Sequence, residues 1–117
     1  MAEPTEIRYD KAGRILAVSF DDGKSFRLPA ELLRTQSPSA EVQGHSPAER
    51  KLVSGRRHVG IIGIEPVGNY AVRLIFDDLH DSGLYSWSYL YDLGVRQDDI
   101  WQAYLDELAT AGLSRDP

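Results

Sequence analysis

Apolar and polar positions alternate through the first third of the chain and predict a β-meander. Ile7 and Tyr9 share one face, and residues 10–13 make a turn. Residues 15–20 then place Leu16, Val18 and Phe20 together. Asp21, Asp22, Gly23 and Lys24 form a hairpin signal, because glycine and aspartate tolerate the positive φ of tight turns. Phe26 and Leu28 continue the apolar face. Pro29 suits the first position of a short helix through Leu32, Leu33 and Arg34, where its missing N–H costs nothing.

Residues 35–58 have few large apolar side chains and carry several turn formers. Ser46, Pro47, Ala48 and Glu49 resemble a capping box, so one helical turn is expected to interrupt this long connection. A second β unit follows. Residues 61–65 are β-prone, Pro66 ends the strand or marks an edge, and Gly68 and Asn69 supply a turn. Tyr70, Val72, Leu74 and Phe76 fall on one face of the returning strand. A polar loop over 77–83 leads to a short strand at 84–86 and a helix from Trp87 to Leu93, stopped by Gly94. The last helix, about 98–111, carries a stripe of Ile100, Trp101, Tyr104, Leu105 and Leu108 and stops at Gly112. Residues 114–117 are expected to fray. The pattern describes a single α+β domain over 1–117, with a β-meander, a second β unit, short helices and a C-terminal amphipathic helix.

Composition narrows the function classes. With 117 residues, 42% hydrophobic and 26% charged, the chain has the make-up of a globular domain with one core. A formal net charge of -5 argues against broad binding to a nucleic-acid backbone. The absence of cysteine excludes disulfides, thiolate metal sites and a cysteine nucleophile. No basic-then-apolar leader and no long apolar run is present, so a cytoplasmic protein away from membranes is expected.

The candidate chemistry is sparse. His45, His58 and His80 lack the spacing that puts two ligands on one helical face. His80 has Asp77, Asp78 and Asp81 nearby as oxygen donors, but loop acids beside a hydrogen-bonded histidine are also an ordinary solvated loop. Arg50, Lys51, Arg56, Arg57 and His58 form a basic cluster suited to a phosphate-bearing ligand or an acidic partner, set against the simpler reading of a solvated loop. Ser37 and Ser39 flank Pro38, and turn or helix-cap chemistry explains them more simply than nucleophilic catalysis. Tyr85, Trp87, Tyr89 and Tyr91 alternate and could present rings to a partner, with core packing the competing account of Trp87 and Leu90. No Gly-x-Ser-x-Gly elbow, phosphate loop or dinucleotide fingerprint occurs.

Three segments together resemble a known family: Leu33-Arg34 with Ser37 to Glu41, Ile64 to Val72, and Asp77 to Leu90. They are similar to the γ-butyrobetaine-hydroxylase-like N-terminal domain, formerly a domain of unknown function, over about 7–93. The resemblance implies a small, bent antiparallel β arrangement with short helices. It also implies kinship with the accessory domain of iron- and 2-oxoglutarate-dependent dioxygenases, with an appendage of iron–sulfur carrier ATPases, and with free-standing bacterial proteins of this length. The last type fits this chain.

In the dioxygenases the domain holds structural zinc through three cysteines and a histidine. Those positions fall here on Ser37, Ser39, Val42 and His80, so one ligand position is kept and three are replaced. The iron ligands belong to a catalytic barrel outside the matched region. The expectation is a non-catalytic binding or adaptor module for a protein partner, with an iron-dependent or iron–sulfur system as the implied source. Its face would comprise Ser37, Ser39, His45, Arg56, Arg57, His80, Tyr85, Tyr89 and Tyr91. The alternative is a weak iron or zinc site at His80, with His45 and the neighbouring carboxylates.

Overall fold

The computed structural model describes residues 2–44 and 50–117 and is α+β. Two three-stranded antiparallel sheets share one hydrophobic core. The first holds β1 (Pro4–Asp10), β2 (Ile15–Phe20) and β3 (Ser25–Pro29), in the order β1-β2-β3. Alternation works as expected here, with Leu16, Val18, Phe20 and Leu28 all buried. Gly23, at φ +89, closes the β2–β3 hairpin while the Asp22 carboxylate accepts from the Lys24 N–H at 3.0 Å.

Helix α1 (Ala30–Thr35) follows directly, with extended Pro29 as its N-cap residue rather than its first helical residue. Every residue of α1 is buried, including Glu31 and Arg34. Helix α2 (Ala40–Gln43) is one turn that hydrophobic periodicity did not announce. Ser39 caps it, its hydroxyl accepting from the Glu41 N–H at 3.2 Å. The capping box over 46–49, like His45, lies outside the described residues.

The second sheet holds β4 (Ile61–Val67), β5 (Ala71–Phe76) and β6 (Leu84–Ser86), in the order β4-β5-β6. Pro66 does not end β4. It lies inside this edge strand, where a missing N–H breaks no interior ladder. Tyr70 falls in the turn before β5 and is exposed, so Val72, Leu74 and Phe76 make the apolar face without it. The two sheets are tied by a polar contact as well as by the core: the Ile61 N–H donates to the Tyr9 hydroxyl at 3.0 Å.

Helix α3 (Trp87–Val95) buries Leu90 and Leu93 and continues through Gly94. Gly94 serves a close approach instead of a stop, since a Cβ there would lie 2.3 Å from the Phe26 ring. Helix α4 (Gln97–Ala111) buries Tyr104 and Leu108 and ends at Gly112 in the left-handed region, φ +69. The residues after it do not hang free. The Gly55 N–H donates to the Ser114 carbonyl at 2.9 Å and the Arg57 N–H to the Arg115 carbonyl at 3.0 Å. Arg115 makes two hydrogen bonds to the Glu31 carboxylate, at 2.8 and 2.6 Å, and lies over the Trp101 ring. Among the described residues no helix is long and apolar enough to cross a membrane.

Candidate functional site

The loop after β5 is built to hold one side chain. Phe76 N–H donates to the His80 carbonyl, Leu79 N–H to the Phe76 carbonyl, and His80 N–H to the Asp78 carboxylate at 3.2 Å. Leu79 takes φ +72, a strained value for a branched side chain, and is exposed. This tight turn directs the buried His80 against the segment between α1 and α2.

There the Ser37 hydroxyl lies 2.9 Å from His80 Nε2, and Glu41 Oε2 lies 3.2 Å from His80 Nδ1. One tautomer satisfies both contacts: Nδ1–H donates to Glu41 and Nε2 accepts from Ser37. Ser37 Oγ also accepts from the Ser39 N–H at 3.2 Å, and the Ser39 and Ser82 hydroxyls meet at 2.6 Å. The Gln43 side chain donates to the Ser37 carbonyl at 2.8 Å. Burial, and then the nearby Arg34 charge, lower the His80 pKa and outweigh the pull of Glu41 and Asp78, so the ring is neutral at pH 7.

Serine, histidine and glutamate thus stand in the order of a nucleophile–base–acid relay. Ser37 is 0% exposed, however, and its oxygen is already shared between His80 and Ser39. A substrate carbonyl has no approach to it. The arrangement does not fit zinc either. Two hydroxyls and the buried Val42 side chain stand where the resemblance places thiolates, and both His80 nitrogens have partners. Nor do the loop acids converge on His80. Asp78 is engaged by Arg34 and Arg56 and Asp81 by Arg73, and no group of three potential ligands gathers among the described residues.

Beside this cluster a cleft of about 520 Å³ opens between α1, α2, residues 51–56 and His80. Arg34, Glu41, Lys51, Arg56 and His80 supply its polar lining, and Val42, Leu52 and Val53 its apolar part. Asp78 fastens the cationic wall: Arg34 Nε and Arg56 Nε both donate to its Oδ2 at 2.7 Å. Burial pushes the Asp78 carboxyl up, but the hydrogen bonds from Arg34 and the His80 N–H and the charge of Arg34 hold it below its ordinary value. Arg34 is 8% exposed, and its Nη1 has no hydrogen-bond partner among the described residues.

The structure divides the remaining candidates. The basic cluster is not one patch, since Arg50 pairs with Glu107, Arg56 with Asp78 and Arg57 with Asp116. His58 is exposed and lies apart from His80, at the 55–59 turn. The aromatic run does not share an exposed face. Tyr85 is fully buried and donates to the Leu33 carbonyl at 2.5 Å. Tyr89, half-buried, donates to the Gln36 carbonyl, and Tyr91 to Asp22 at 2.6 Å. Tyr85 and Tyr89 therefore satisfy carbonyls at the end of α1 that helix geometry leaves without donors. Arg34 and Glu41 enter the site without having been singled out for it, and Asp78 enters as the partner of two arginines rather than as a ligand beside His80. The signals for the first two were the charge they carry close to Ser37 and their place in the segment that carries the family resemblance.

Comparison with known proteins agrees with this fold. The family model described as gamma-butyrobetaine hydroxylase-like, N-terminal, matches residues 7–91. Two solution NMR structures are similar at a TM-score of 0.86, with 52% and 50% identity. Each match covers 100% of this chain, and 92% and 87% of the respective partner. A crystal structure from Acidithiobacillus ferrooxidans ATCC 23270 is 37% identical with a TM-score of 0.67, covering 79% of this chain and 92% of that one. It is described as a protein of unknown function belonging to the DUF971 family. No curated protein matches the chain. The family match spans both sheets and the Ser37–His80 pair, and the chain belongs to the gamma-butyrobetaine hydroxylase-like N-terminal domain family.

Proposed function

We propose that the chain is a non-catalytic binding module that docks a protein partner at the cleft beside His80. One observation carries this reading: a charged, open cleft rests on a hydrogen-bond cluster in which the hydroxyl bonded to His80, that of Ser37, is sealed in the interior. Ser37, His80 and Glu41 fix the separation of the loops, and Arg34, Lys51 and Arg56 remain at the cleft surface. Preorganisation of this kind favours recognition, because the wall loses little freedom when a partner arrives. Tyr85 supports the end of α1 through the Leu33 carbonyl, whereas Tyr89 and Tyr91 border other clefts. The resemblance to accessory domains of iron-dependent dioxygenases and iron–sulfur carrier ATPases makes iron-handling proteins the first partners to examine.

The test compares proteins captured by the wild-type chain, by Lys51→Glu, and by Arg27→Glu as a distant charge reversal on β3. The reading expects Lys51→Glu to lose specific partners that Arg27→Glu retains. Identical capture by all three would overturn it.

A further inference from the structure

The cleft carries information about the chemistry of its occupant. Asp78 is a single negative charge shared by two guanidiniums, Arg34 and Arg56, through one oxygen. Its other oxygen accepts from the His80 N–H. Glu41 faces His80, so it does not neutralise the arginines directly. Counting Arg34, Lys51 and Arg56 against Asp78 and Glu41 leaves one positive charge. Arg34 also lines the cleft, and its buried Nη1 lacks an acceptor among the described residues, an unmet demand for a cationic N–H.

We infer that the cleft receives a single carboxylate side chain from an acidic peptide segment of the partner, taken up by Arg34 and Lys51. This deepens the binding-module reading and rests on it. A monoanion balances the lining, whereas a phosphate dianion would exceed the available charge and press against Glu41. Val42, Leu52 and Val53 provide an apolar wall for the methylenes of a glutamate. Nη1 is shut off from solvent in this structure, so reaching such a group requires the guanidinium to rotate about its Nε contact with Asp78.

NMR titration of the full chain tests this with three probes: a blocked glutamate-rich tetrapeptide, its glutamine counterpart, and inorganic phosphate. The glutamate peptide should shift resonances of Lys51, Arg56, His80 and the Arg34 side-chain N–H. The glutamine peptide should bind at least about tenfold more weakly, as expected when a charge-assisted contact becomes neutral. Arg34→Lys should weaken the glutamate peptide, and Lys51→Ala, at an exposed position where folding is not at stake, should do the same. Equal binding of the two peptides, no response at these residues, or tighter binding of phosphate would each overturn the inference.

Failure here is separable from failure of the module reading. If Lys51→Glu loses its partners while neither peptide binds, the docking surface stands and the carboxylate assignment falls. If the glutamate peptide binds the cleft while capture is unchanged, the ligand class stands and the docking role falls.

Discussion

Removing the hydrogen bond between Ser37 and His80 should loosen the two loops by a measurable, shared amount. Ser37→Ala deletes an oxygen that donates to His80 Nε2 at 2.9 Å and accepts from the Ser39 N–H at 3.2 Å. Both partners are buried, and each of the two bonds is worth about 1 kcal/mol, so a cost of about 2 kcal/mol is expected. His80→Ala removes the same Ser37 bond and leaves a cavity against Phe76, together about 2–4 kcal/mol. The Glu41 contact adds little, because that carboxylate is 69% exposed. The two effects should not add: the double variant should recover about 1 kcal/mol, the energy of the bond that both single variants remove. Urea unfolding followed by circular dichroism measures all four proteins, and a domain stable by about 5–15 kcal/mol tolerates these costs. A coupling below about 0.3 kcal/mol, or a single-variant cost below about 0.5 kcal/mol, would refute the claim that this bond holds the loops together.

Tyr85→Phe should cost about 1–3 kcal/mol in urea unfolding, because it strands the Leu33 carbonyl in the core, and more than Tyr89→Phe at its half-buried site. Arg115→Ala should cost about 3 kcal/mol by leaving Glu31, only 5% exposed, without its cation, and adding Glu31→Gln should restore part of the deficit. Gly94→Ala should destabilise by about 1–2 kcal/mol despite alanine's better helix propensity, since the Phe26 ring must move; an increase in stability would contradict the close approach. Acidification should weaken the fold in two steps. The folded His80 pKa is below its unfolded value of 6.5, so the unfolded chain takes up the proton first and stability falls from about pH 6.5 downward until the folded ring also titrates. Asp78, also lowered, adds its effect below about pH 3.8, and His80→Gln should flatten only the first step in urea midpoints measured against pH.

The strands were readable because burial on one face imposes a period of two, as Leu16, Val18 and Phe20 show. The same period misled at residues 85–91. β6 ends at Ser86 and α3 begins at Trp87, so Tyr85, Tyr89 and Tyr91 sit on different element types and no longer share a face. Ser39 was legible as a helix cap from its chemistry, although the four-residue α2 carries too few apolar positions to register as a helix. The burial of Glu31 and Arg34 was not legible. Their partners, Arg115 and Asp78, lie 84 and 44 residues away, and only the tertiary fold brings those charges together. The expected fraying of the C-terminal residues failed for the same reason, since Ser114 and Arg115 are held by Gly55 and Arg57 across the fold. The proximity of Ser37 and His80 came from the family resemblance alone, because nothing local in either segment points to the other.

His80 acts as a neutral hydrogen-bonding strut beside the cleft, engaged at both ring nitrogens by protein side chains. Long-range nitrogen–proton NMR of the His80 ring, with and without one equivalent of zinc, tests it most directly. A neutral ring at pH 7 with the proton on Nδ1, unchanged by zinc and altered by Ser37→Ala, is the expected result. A ring nitrogen that shifts stoichiometrically on zinc addition, with Nε2 no longer bonded to Ser37, would contradict it.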